Sequence, residues 1–225
     1  MNHEATPVDN LLNEPLTLVV SLGLLGLLPF VFMTLTSFVK ISTVLHITKS
    51  AIGAQSIPSS TVIMALSTAL TLLVMAPVGS RIGERLTPAL EGNPSTATLV
   101  RSVFDATAQP VRSFLNANAD PRQRQRFLLL ANKADPGATP HEPSDFPVIV
   151  PAFIVSELGR AFAIGFAIFL PFLVIDMVVG NVLLALGMQM MSPTQVSLPF
   201  KLLLFIMADG WGLLSQSLVT GYVAG

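Results

Sequence analysis

No cysteine occurs in this chain, which excludes disulfides, thiolate metal sites and cysteine nucleophiles, and leaves the compartment open because absence suits oxidising and reducing spaces alike. Histidine is nearly as scarce. His3, His46 and His141 stand far apart, and none falls in an HExxH or other paired-ligand spacing. Missing too are a GxSxG elbow, a GxxxxGK[ST] phosphate loop and a strand-linked GxGxxG. No catalytic residue, metal or cofactor is therefore expected, and the chain does not read as an enzyme. Charge is thin: 11% of the 225 residues are Asp, Glu, Lys or Arg, where soluble domains carry about 25%. The net charge of -1 and the lack of a basic block interleaved with aromatics argue against nucleic acid as a partner.

What is there is apolar. Hydrophobic residues make up 52% of the chain, which places it in the membrane class and predicts an all-α fold of hydrophobic helices with a polar helical insertion. Residues 1–14 form an acidic N-terminal tail with Glu4, Asp9 and Glu14 and no Lys or Arg, so no cleavable signal peptide is expected. Pro15 to Val39 is uncharged and long enough for a first hydrophobic helix, since about 20 residues cross the hydrocarbon layer. A second uncharged stretch runs from Ser50 to Ser80, with its apolar core at Thr61 to Val78 and Pro58 as a start signal. A short link around Lys40 to Pro58 predicts an antiparallel hairpin over residues 15–80.

Residues 81–147 differ sharply. Eight of the twelve basic and seven of the thirteen acidic residues lie there, so this segment is expected to face water. Helices are predicted over Thr96 to Leu115 and Pro121 to Asn132, the second opened by Asp120 as cap and Pro121 at the first position. Asp135 to Pro147, with four prolines, reads as an irregular connector. Absence of basic residues before the first helix favours an outside N-terminus, a cytoplasmic short loop and an outside polar domain.

Residues 148–225 hold the remaining hydrophobic elements. A straight helix over Pro151 to Met191 would be about 60 Å long at 1.5 Å per residue, about twice a bilayer core, so a bend is expected, with Pro171 as the hinge. Ala161, Ala163, Gly165 and Ala167 permit close helix approach. The last element, Leu198 to Val223, is interrupted by Lys201, Asp209 and Gly210. It suits a helix packed on protein better than one packed on lipid.

Six charges lie inside or against these apolar runs: Lys40, Glu157, Arg160, Asp176, Lys201 and Asp209. A charge in hydrocarbon is costly and marks a contact with a partner. Glu157 and Arg160, three residues apart, can pair on one helix face. For Asp176, Lys201 and Asp209 pairing between helices or subunits is expected, and all six are assigned as assembly charge pairs. An aspartyl pair of Asp176 and Asp209 lacks a flanking motif. A last anomaly is the run Leu186 to Pro193, where Met188, Met190 and Met191 fall between Gly187 and the hinge Pro193. Methionine is flexible and polarizable, suited to a surface that closes tightly yet deforms, so these three are candidates for a gasket.

Long blocks of this sequence resemble the SctR/FliP family of type III secretion export-gate proteins: Ser37 to Ile41, Pro151 to Leu158, Phe166 to Asp176 (FAIFLPFLVID), Leu184 to Met188, Ser192 to Leu204 (SPTQVSLPFKLLL) and Asp209-Gly210-Trp211. The resemblance implies a non-enzymatic pore subunit in the bacterial inner membrane that conducts unfolded secreted protein substrates. It implies a pentameric homo-oligomer meeting membrane lipid, SctS/FliQ-like and SctT/FliR-like export-gate subunits and an SctU/FlhB-like switch protein. It also implies a periplasmic polar domain and a Met-rich loop that closes the pore. Flagellar members usually begin with a cleavable signal peptide, so the chain looks more like the virulence injectisome branch. Gln189 interrupts a Met run that the family usually keeps unbroken. The rival reading from the residues alone is an ion-coupled secondary transporter.

Overall fold

A computed structural model describes residues 15–53, 58–90, 96–134, 137, 139–188 and 190–222. Among the described residues the chain is all-α, with eight helices and no strand. Helix α1, Pro15–Leu35, and helix α2, Phe38–Ile52, meet at a sharp corner of 78°. The corner follows from a hydroxyl. Thr36 Oγ1 donates back to Phe32 O and accepts the Phe38 N–H at 3.3 Å, a side-chain bond that competes with the helical ladder. Phe32 and Phe38 pack across it, their centroids 5.7 Å apart.

The corner corrects two sequence expectations. The first helix does not continue to Val39, and the segment from Lys40 is not a link. It is α2, ended by Gly53 at φ 82, where a residue without Cβ takes the left-handed conformation and its N–H bonds Ser50 O. Phe38, Ile41, Leu45, Thr48 and Ile52 recur at helical spacing and are all buried, which makes α2 a central element.

Helix α3, Ser60–Leu90, starts two residues after the start signal Pro58 and runs through Pro77 and Pro88 into the polar segment. It packs on α2. Its inward stripe of Ile63, Ser67, Thr71 and Val78 is buried. Ser67 and Thr71 donate at 2.7 Å to the carbonyls four residues earlier, so their hydroxyls enter the core satisfied.

Helices α4, Thr96–Asn118, and α5, Pro121–Ala134, fall where the polar segment predicts helices, each ending a few residues later. Asp120 Oδ1 accepts the Arg122 N–H at 2.8 Å, which caps α5. Helix α6, Phe146–Ala185, has 40 residues and stays helical through Pro151 and Pro171. Helix α7, Pro193–Met207, and helix α8, Gly210–Thr220, replace the single last element and meet at 57°.

Gly165 lets α2 and α6 cross closely: a Cβ there would stand 2.7 Å from Ile47 Cδ1. Two apolar clusters flank this crossing, one around Ile41, Leu45, Ala161, Phe172 and Phe205, the other around Phe114, Leu115, Ile149 and Phe153. Val74 and Tyr222 pack against both. Ser60–Pro88 and Phe146–Ala185 are long and apolar enough to cross a membrane, and up to four spans result if each bent pair counts as one.

Candidate functional site: two buried charge centres and a methionine turn

The first centre is built around Glu157, which the α6 backbone places facing α2 with no exposed surface. Lys40 of α2, itself 3% exposed, brings Nζ within 3.5 Å of Glu157 Oε2. Arg160, one turn along α6, donates through Nη1 to Glu157 Oε1 at 3.1 Å and to the carbonyl of Asn118 at 2.8 Å. Tyr222, beyond α8, donates its phenolic proton to Glu157 Oε2, and its oxygen lies 3.3 Å from Ser37 O at the α1–α2 corner. The Lys40 ammonium sits 3.4 Å from the centroid of the Tyr222 ring, a cation–π contact. That ring also stacks with Phe114 of α4, centroids 5.9 Å apart. One carboxylate thus ties together α2, α4, α6, the α1–α2 corner and the tail.

The second centre joins α6, α7 and α2. Lys201 Nζ stands 2.5 Å from Asp176 Oδ2 and donates to the Ala51 carbonyl at 3.4 Å. Ser197, fully buried one turn before Lys201, donates to Asp176 Oδ1 at 2.5 Å. Both centres follow one rule. In each, a cation joins a carboxylate to a carbonyl in the last turn of a neighbouring helix, Asn118 in α4 or Ala51 in α2. Carbonyls in the last turn of a helix lie at the negative end of the helix dipole, where a cation is favoured.

Asp209 differs from the other five charges. It makes no ion pair among the described residues. It is exposed at the α7–α8 corner with φ 48, a left-handed conformation in which its carboxylate occupies the space a Gly212 side chain would need. Gly210 likewise leaves room for the Phe205 ring, which meets Trp211 edge-on at 5.1 Å. The Asp-Gly-Trp-Gly run is therefore a corner built to bend.

At the far end of α6, Gly187 takes φ 71, its N–H bonds Leu184 O, and the Met188 N–H reaches back to Leu183 O at 2.9 Å, a Schellman C-cap. This turns the chain so that Met190 is fully exposed and Met188 and Met191 are partly exposed. Gln189 lies outside the described residues. Pro193 opens α7 at its first position and Pro171 lies inside α6.

Several members of these centres carry no signal by hydropathy. Tyr222, Ser197 and the Asn118 carbonyl belong to them. Ser197 has one legible clue, its four-residue spacing from Lys201, which puts both on one face of a helix. Tyr222 has one as well: it is the only tyrosine in the chain.

Residues 21–218 match the FliP family. The chain is 41% identical over 216 residues to the Yop proteins translocation protein R of Yersinia pestis, covering 94% of this chain and 98% of that protein. It is 39% identical over 216 residues to the harpin secretion protein HrcR of Erwinia amylovora, covering 93% and 97%. It is also 39% identical over 209 residues to the flagellar biosynthetic protein FliP of Caulobacter vibrioides, covering 92% and 76%.

Proposed function

The chain belongs to the FliP family, and we propose that it is a non-enzymatic pore subunit of a type III secretion export apparatus in the bacterial inner membrane. The observation that carries this reading is likeness along nearly the whole chain to proteins named for translocation and secretion. The geometry supports it. Outward faces of α6 and α7 leave Phe162, Phe166, Val174, Val178, Phe200 and Ile206 exposed on the isolated chain, more apolar surface than a soluble monomer tolerates. Lipid, SctS/FliQ-like and SctT/FliR-like subunits, and further copies in a pentamer, cover these faces. An SctU/FlhB-like switch protein completes the gate, and residues 81–147 face the periplasm. The methionine turn closes the channel to ions and yields to an unfolded substrate, with Pro171 and Pro193 as flanking hinges.

The charges support this reading over an ion-coupled transporter. A coupling site needs a group free to exchange its partner for an ion. Glu157 is held by two cations and a phenol, and Asp176 by Lys201 and Ser197. Both serve better as rivets.

The test is genetic and physical together. A strain lacking the endogenous subunit, complemented with this chain, should regain export of its secreted substrates. The detergent-extracted complex should contain several copies by native mass spectrometry. A functional monomer that moves ions against a gradient would overturn the assignment.

A further inference from the structure

Helix α5 buries no residue, yet its outward face is not an ordinary solvated one. Arg122, Arg126, Leu129 and Lys133 repeat at intervals of four, three and four residues, which aligns them in one exposed stripe about 17 Å long at 1.5 Å per residue. Leu129 is 67% exposed and Leu130 beside it 58%. The helix contains no acidic residue, and its fourth cation, Arg124, turns inward to Asn116 Oδ1 at 3.4 Å. Three cations and two leucines therefore face outward, and among the described residues no carboxylate pairs with these cations.

We propose that this stripe docks an acidic amphipathic helix of a protein other than this one. Charge complementarity identifies the chemistry, and the spacing identifies the shape, because a heptad-like row of cations around apolar side chains fits a facing helix with carboxylates beside its own apolar row. Among the described residues, no helix of a second copy supplies that row. Helix α3 contains one acid, Glu84, between Arg81 and Arg85; α4 contains one, Asp105, four residues from Arg101; and the carboxylates of α6 are Glu157 and Asp176, both engaged. A lipid headgroup layer fits less well. The Asp120 N–H at the start of α5 bonds Ser156 Oγ at 2.9 Å, while Asn132 near its end accepts the His141 N–H at 2.8 Å in the approach to α6. Helix α5 thus runs back along α6, which is long and apolar enough to cross a membrane, whereas a surface-bound helix lies in the membrane plane.

The test places a benzophenone photocrosslinker at position 129 in the full chain, in the bacterium that normally makes it. Irradiation should give an adduct with a different protein whose crosslinked peptide carries carboxylates three or four residues apart. Combined Arg122→Glu, Arg126→Glu and Lys133→Glu should lower adduct yield about tenfold, since three exposed contacts turn repulsive. Reversing the partner's carboxylates to Lys should restore it. If the charge-reversed chain does not accumulate, the neutral Arg122→Gln, Arg126→Gln and Lys133→Gln set serves, with a smaller loss expected. An adduct with lipid, an adduct with a second copy, no adduct, or a yield indifferent to charge would each overturn the proposal. None of these readouts depends on the export role.

Discussion

Glu157 accepts from three groups at once, and that makes the first centre asymmetric. Remove Lys40 and the carboxylate keeps Arg160 and Tyr222; remove Glu157 and Lys40, 3% exposed, is left near a second cation with no carboxylate. Breaking a buried pair by removing one partner costs about 3–5 kcal/mol when the remaining charge is uncompensated. Glu157→Ala should reach that range and Lys40→Met should fall well below it, measured as loss of thermal stability of the detergent-extracted protein. Equal losses would mean that Arg160 and Tyr222 contribute nothing. Tyr222→Phe keeps a ring under the Lys40 ammonium and removes only the hydroxyl, so it should cost about 1.5–3 kcal/mol, as for a hydrogen bond to a charged group. At the second centre Asp176→Ala strands Lys201 against one carbonyl. That variant should accumulate poorly and assemble less, whereas a normal complex with transport abolished would point to proton relay instead.

Helices α2 and α6 carry the architecture, and their crossing depends on one absent methyl group. A Cβ at position 165 would come within 2.8 Å of Ile47 Cγ2 as well as crowding Cδ1, and overpacking of this kind costs about 1–3 kcal/mol. Gly165→Ala should lower thermal stability by that amount, and adding Ile47→Ala should recover part of it; a double variant worse than either single one would show that the crossing does not set the packing. Of the small residues expected to permit close approach, Ala161 and Gly165 are buried whereas Ala163 and Ala167 are exposed; the helical pieces of the polar segment and the all-α character are legible in the sequence. Helix α2 is not legible, for a physical reason. Lys40, His46 and Lys49 give it the charge of a loop, whereas Lys40 is buried because Glu157, distant in sequence, neutralises it. Proline is ambiguous in the same way: Pro77, Pro88, Pro151 and Pro171 all lie inside helices, although proline removes a backbone bond there. The pairing of Asp176 with Lys201 could be named as one of several options from sequence, but the choice of Ala51 O as the third partner needs the α1–α2 corner.

Across the apolar helices, five charges are paired between or along helices while the methionines are left outward. The buried centres join helices within the chain, while the methionines stand exposed at the tip of the α6–α7 turn. Met190 is fully exposed, and Met188 and Met191 are each 44% exposed, so their removal takes almost no packing from the subunit itself. Truncating an exposed side chain usually shifts stability by no more than about 0.5 kcal/mol. Combined Met188→Ala, Met190→Ala and Met191→Ala should therefore leave the folding and yield of the assembled complex unchanged. If the turn is a gasket, the same variant should let small ions leak across the membrane when the complex is produced in cells, read as increased conductance or loss of membrane potential. Val at the three positions should keep the seal and slow substrate passage, because a branched side chain has one strongly preferred rotamer and deforms poorly. A triple Ala complex that remains as tight as the parent, or one that fails to assemble, would reduce these methionines to ordinary contact residues and place the seal elsewhere in the assembly.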